Sequence, residues 1–162
     1  MRQLTFILAL LLVATPALAQ EPVGCDKFKW PLDKERTMLA SPASVDGDIN
    51  SPLDKAYRLA LRPVDEIKLP QPPTRAPKSG TNAGFVTAAA PPKAGTYRFT
   101  LSEPGWIDVL QNGRAIKSGA FSSATGCAGI RKSVKFDLSV APFTVEITGV
   151  PTTSISFVVT PD

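Results

Sequence analysis

The chain has 162 residues, 18 basic against 14 acidic, a formal charge of +4 and no histidine. Without imidazole, Ser-His-Asp and Cys-His catalysis lack their general base, and histidine-ligated zinc, iron and copper centres lack their ligands. The cations, among them Lys27, Arg58, Lys68, Arg98 and Lys135, are scattered singly, so nucleic acid is not an expected partner.

The opening "MRQLTFILALLLVATPALA" joins Arg2, an apolar run from Leu4 to Val13 and a small-x-small site at Ala17-Leu18-Ala19. That is the pattern of a cleaved signal peptide over residues 1–19. Its apolar run is shorter than the roughly 20 residues of a membrane helix. The expectation is a periplasmic or secreted protein, cleaved near Ala19 and not membrane-embedded. A lipoprotein signal would use Cys25 after "PVG", but Pro22 stands where such a box has leucine.

Cys25 and Cys127 are the two cysteines. In an oxidising compartment an even count points to a disulfide, and two thiols allow one pairing. The loop it closes corresponds to about 4.7 kcal/mol of chain entropy for about 100 residues. A redox pair would take C-x-x-C spacing, which is absent.

In "CDKFKWPLDKERTMLAS", Pro31 suits a first helical position and Leu32, Arg36 and Leu39 recur at helical spacing. This predicts a short helix over 31–40, with Trp30 packing it onto the rest. Ser41 to Pro52 is rich in Ser, Pro, Asp and Gly and reads as loop. Residues 20–54 thus form a helix and loop packed against a domain of residues 55–162.

From Lys55 the period becomes two. Tyr57, Leu59 and Leu61 form one apolar row, followed by Tyr97, Phe99 and Leu101, then Val134, Phe136 and Leu138. Phe143, Val145 and Ile147 form the next, and Ile155, Phe157 and Val159 the last. Such alternation marks half-buried antiparallel strands. "GWIDVLQNGRAIK" reads as a hairpin turning at Asn112-Gly113, and "GFVTAAAPP" as a short strand. "LPQPPTRAPKSGTNAG" is too proline-rich for an inner strand and reads as a crossover loop or a segment over one edge. Seven or eight strands predict a single antiparallel β-sandwich of Ig-like or jelly-roll type.

"GCAGIRKS", residues 126–133, is one residue from the phosphate-loop pattern G-x-x-x-x-G-K-[ST], with Arg131 in place of the second glycine. A phosphate loop must lead into a helix, whereas "VKFDLS" follows with strand periodicity. Arg131 and Lys132 beside these glycines could still form a small anion nest, although a tight connection anchored by Cys127 accounts for the same residues.

No catalytic set is evident. S-x-x-K is absent, and Glu103, Asp108, Asp137 and Glu146 alternate with core residues and read as exposed outer positions. No metal and no cofactor is expected. The candidate ligand-binding residues are Trp106, Asp108, Arg131 and Lys132. If Ile107 and Val109 form the core row, Trp106 faces outward beside Asp108 as a platform on which a sugar could stack. The high average burial of tryptophan favours the opposite orientation.

The blocks "GTYRFTLSEPGWIDVLQNG", "SGAFSSATGCAGIRKSVKFDL" and "FTVEITGVPTTSISFVVTP" resemble a group of small exported proteins of Gram-negative bacteria without an assigned role, and span most of the mature chain. Some members carry the name homogentisate dioxygenase. That name implies iron held by histidine and glutamate, and this chain departs from the pattern by having no histidine. The rhythm of the last strands is also similar to pre-peptidase C-terminal domains. The expectation is a non-catalytic periplasmic protein that binds an envelope glycan, a small ligand or a protein. The alternative is an inhibitor of an envelope hydrolase, a lysozyme or protease, presenting the loop 117–133.

Overall fold

A computed structural model describes residues 20–45 and 47–162; the expected signal peptide lies outside the described residues. The described chain is mainly β, with eleven strands in two sheets, one short α-helix and one disulfide. No described helix is long and apolar enough to cross a membrane.

The strands are β1 (Ala43–Ser44), β2 (Ala56–Ala60), β3 (Arg62–Pro63), β4 (Asn82–Ala88), β5 (Gly95–Leu101) and β6 (Trp106–Gln111). There follow β7 (Arg114–Ala115), β8 (Phe121–Ser123), β9 (Lys132–Leu138), β10 (Phe143–Val150) and β11 (Ser154–Pro161). The long strands coincide with the alternating segments. The additional short ones lie along the margins, where Pro63 in β3 removes no inner ladder bond. Six strands form one sheet in the order β1-β2-β11-β5-β9-β8, and five form the other in the order β3-β4-β10-β6-β7. Asn112 and Gly113 both take positive φ, 52° and 71°, and turn β6 into β7 as the hairpin motif requires.

The apolar rows of both sheets belong to a single hydrophobic cluster. Phe99 of β5 meets Phe136 of β9 and Phe143 of β10 edge to face, at 5.3 and 5.8 Å between ring centres. The geometry suits the ring quadrupoles and links one sheet to the other.

The alternation of polar and apolar residues does not imply that the second row of each sheet is wet. On the six-stranded sheet the cover is helix α1 (Asp33–Leu39). Leu32 and Leu39 pack on Ala56, Ile130 and Val158, with Trp30 and Phe28 at the margin, so β11 is buried on both faces. Glu35 goes down with the helix. Its carboxylate accepts the Thr160 hydroxyl at 2.7 Å and faces the Arg98 guanidinium at 3.3 Å. Pro31, expected at the first helical position, instead precedes the N-cap Leu32, and its carbonyl accepts from Arg98 at 2.9 Å. Cys25 and Cys127 are disulfide-bonded and tie this cover to the loop before β9.

On the five-stranded sheet the cover is the proline-rich segment, which lies across the outer face and not along an edge. Gln71 N–H donates to Glu146 Oε1 at 2.9 Å, and Thr74 N–H to Asp108 Oδ2 at 3.0 Å. Proline breaks the segment's own hydrogen bonding, and carboxylates of the sheet take its free amides. Glu146 and Asp108 are therefore buried, contrary to the exposed positions expected from alternation.

Candidate functional site

The outer row of β6 is Trp106, Asp108 and Leu110, since Ile107 and Val109 lie in the core. Trp106 is thus half-buried on the outer face, and the orientation favoured by average tryptophan burial is not the one adopted. Across the ladder, Trp106 pairs with Thr148 and Asp108 with Glu146 of β10. A bulge between Ile147 and Val150, with Gly149 at φ 71°, bends β10 beside the indole. Gly105 sets the approach of β6: a Cβ there would lie 3.0 Å from Val150 Cγ2.

The indole N–H is shared between Thr74 Oγ1 at 2.9 Å and Asp108 Oδ1 at 3.1 Å. Asp108 also accepts the Thr74 hydroxyl, so one carboxylate fixes both the ring and the strap above it. Two cations attend the ring, the Arg75 guanidinium 5.4 Å and the Lys132 Nζ 5.0 Å from its centre, both within cation–π range. Lys132 opens β9 in the six-stranded sheet and donates to the Gly105 carbonyl at 3.1 Å. Burial, helped by the like charges of Arg75 and Arg131, pulls its pKa below the usual lysine value, against Glu21 and Asp108.

Trp106, Asp108 and Lys132 therefore come together as candidate residues. Arg131 does not join them at the ring. Its guanidinium grips Glu21 through two bonds of 2.6 and 2.5 Å and donates to the Ala124 carbonyl. That bond holds Glu21 below the ordinary carboxylate range. The tight connection read from the sequence leaves little of the anion nest weighed beside it, since the chain's own Glu21 carboxylate occupies Arg131. The phosphate-loop likeness also dissolves, because Lys132 and Ser133 begin a strand.

Thr74, Arg75 and Thr148 were not signalled as site residues. Arg75 sits in a segment without periodicity, so nothing local says which face it covers. Thr148 was legible only as an outer-row member of β10. A cleft of about 320 Å³ opens beside the indole, lined by Arg75, Lys78, Gly105, Trp106, Thr148 and Gly149. A second of about 320 Å³, on the Thr74 and Asp108 side, reaches Ile116 and Lys117. The Thr148 hydroxyl is buried and makes no hydrogen bond to any protein group.

A larger cleft of about 460 Å³ lies by the disulfide, lined by Trp30, Arg36 and Cys25 among others. Its polar groups are already engaged. Trp30 donates to Ser133 Oγ at 3.2 Å and carries Lys135 Nζ 4.5 Å from its ring centre. Arg36 pairs with Asp33 at 2.7 Å. It is the poorer candidate for this reason, despite its size.

The directly opposed Asp108 and Glu146 have the composition of a general acid–base pair. Both carboxyls, however, are roofed by the strap, whose backbone amides bond Glu146 Oε1 and Asp108 Oδ2, while the buried Glu146 Oε2 has no protein partner. Burial raises the Glu146 pKa; the Gln71 N–H opposes this and the Asp108 charge adds to it. The pair clasps the strap that carries Thr74 and Arg75. Among the described residues no group of three or more Cys, Asp or Glu is placed to hold a metal ion. In comparisons with known proteins, no family model, curated protein or solved structure matches the chain.

Proposed function

We propose that the protein is an exported, non-catalytic β-sandwich that binds a glycan of the bacterial envelope at Trp106. The observation that carries this reading is a half-exposed indole fixed through its N–H by Asp108 and Thr74, beside an open cleft. An immobilised ring presents the apolar surface left beside Arg75 and Lys132 to the C–H groups of a sugar, without losing rotamer freedom on binding. The sandwich reading rests on the two antiparallel sheets and their shared hydrophobic cluster. Export is supported by the Cys25–Cys127 bond, since disulfides persist in oxidising compartments. Retention on an array of envelope glycans tests the proposal. Wild type is expected to be retained and Trp106→Ala to wash through; equal behaviour of the two proteins would remove it.

The alternative, an inhibitor of an envelope hydrolase, has one feature in its favour. Phe121 on marginal strand β8 is 55 % exposed, with Lys29 Nζ 5.3 Å from its ring centre, and aromatic residues with cations are common anchors at protein interfaces. Assays of lysozyme and protease turnover with excess protein separate the two readings. Undiminished hydrolysis would eliminate the inhibitor.

A further inference from the structure

We infer that the ligand received at Trp106 carries an anionic group, a carboxylate or a phosphate, seated against Arg75 in the cleft of Arg75, Lys78, Trp106 and Thr148. The inference rests on the reading of Trp106 as a sugar platform and adds the charge of the sugar. Arg75 and Lys132 bring two positive charges to one indole, and Lys78 lines the same cleft. Among the described residues, none of these three takes a carboxylate within 4.0 Å.

The nearby acids are committed elsewhere. Glu21 is held by Arg131, and Asp108 accepts from Trp106 and Thr74. Asp108 sets one negative charge against the three cations, so the cleft keeps an excess of positive charge, which concentrates anions. A guanidinium near an aromatic ring still presents N–H donors in a fork that matches carboxylate and phosphate. Lys132, half-buried and tied to Gly105, adds its field without needing contact.

A second observation points into the same cleft. The Thr148 hydroxyl, 1 % exposed as a residue, lines it and has no protein partner. A buried hydroxyl without a partner is costly, and a sugar hydroxyl or acid oxygen would satisfy it once the cleft wall that closes it off shifts aside. The cleft lies at the small end of the roughly 300–1,000 Å³ of ligand pockets, which suits one saccharide unit.

Calorimetric titration with glucose, glucuronate, glucose 6-phosphate and inorganic phosphate tests the inference. At low salt at least one acidic sugar is expected to bind about tenfold or more tightly than glucose. That advantage should vanish in Arg75→Gln, whose side chain lies on an exposed loop, and shrink in Lys132→Gln. Raising salt from about 0.1 to 1 M should weaken the acidic sugars and leave glucose unchanged. The carboxylate and phosphate arms identify the group. Glucose binding as tightly as both acids would overturn the inference and leave the glycan proposal standing. Phosphate alone binding as tightly as the sugar phosphate, with loss in Arg75→Gln, would uphold the anion seat and remove the sugar. Binding of none of the probes would overturn both.

Discussion

Lys132 Nζ lies 5.0 Å from the centre of the Trp106 ring, so a cation on β9 of one sheet rests on an aromatic of β6 in the other. Nothing in the sequence spacing requires this meeting. It follows from the crossing of the chain between sheets at Gly105, whose carbonyl anchors the lysine.

Binding of an acidic sugar should accordingly depend on pH. Burial and two neighbouring guanidinium groups hold the Lys132 pKa below its ordinary 10.5. Its charge is therefore lost at lower pH than that of a free lysine, and affinity should fall before pH 10.5 is reached. Titrations from neutral to alkaline pH check this, with Lys132→Gln expected to show no such fall. Affinity that holds steady until lysines titrate ordinarily would contradict the placement.

Glu146→Gln should stabilise the protein, or leave it unchanged, at neutral pH. The Glu146 carboxyl is held above its ordinary 4.5, chiefly by burial. The native state thus binds a proton that the unfolded chain has released, and stability falls as pH rises from about 4.5 through the raised value. The amide keeps an acceptor for Gln71 N–H and removes a like charge directly opposite Asp108, worth up to about 1 kcal/mol. Urea melts across pH 4 to 8 would show the wild-type decline and its absence in the variant.

Much of this arrangement was written in the alternation, and some was not. The five apolar rows from Tyr57 to Val159 identify strands because every second side chain shares a face. The same rule placed Trp106 and Asp108 together. It could not reveal that Asp108 and Glu146 are buried, because a polar outer row looks the same whether water or backbone amides satisfy it. Arg75 stayed hidden for a related reason: in "QPPTRAPK" proline removes any period, so only the tertiary contacts assign a face. Val158 and Thr160 likewise read as an outer row, and α1 covers them.

Glu35→Ala should cost about 3 kcal/mol, the range in which removal of one partner strands a buried charge. Arg98 would lose its carboxylate on α1 and Thr160 its acceptor, although Arg98 keeps Asp162 at 3.5 Å. Glu35→Gln, which retains the acceptor, should cost less. Thermal melts of both variants measure the difference.

Cys127→Ser should destabilise the fold by several kcal/mol, up to about 4.7 by loop closure, because the bond spans 102 positions of sequence. That loss arises in the unfolded chain, and the folded variant keeps its local pairing. Gly24 N–H donates to the Thr125 carbonyl and Thr125 N–H to that of Pro22, both at 2.8 Å, so the strands around the bond remain paired. Melting under oxidising and reducing conditions should reproduce the effect of the substitution.

The two tryptophan indole N–H resonances give the most direct test. Trp106 Nε1 is bonded to Thr74 and Asp108, and Trp30 Nε1 to Ser133. In two-dimensional NMR with an added acidic oligosaccharide, the Trp106 signal should shift in a saturable way while that of Trp30 stays in place. A stationary Trp106 signal, or a shift confined to Trp30, would contradict the account.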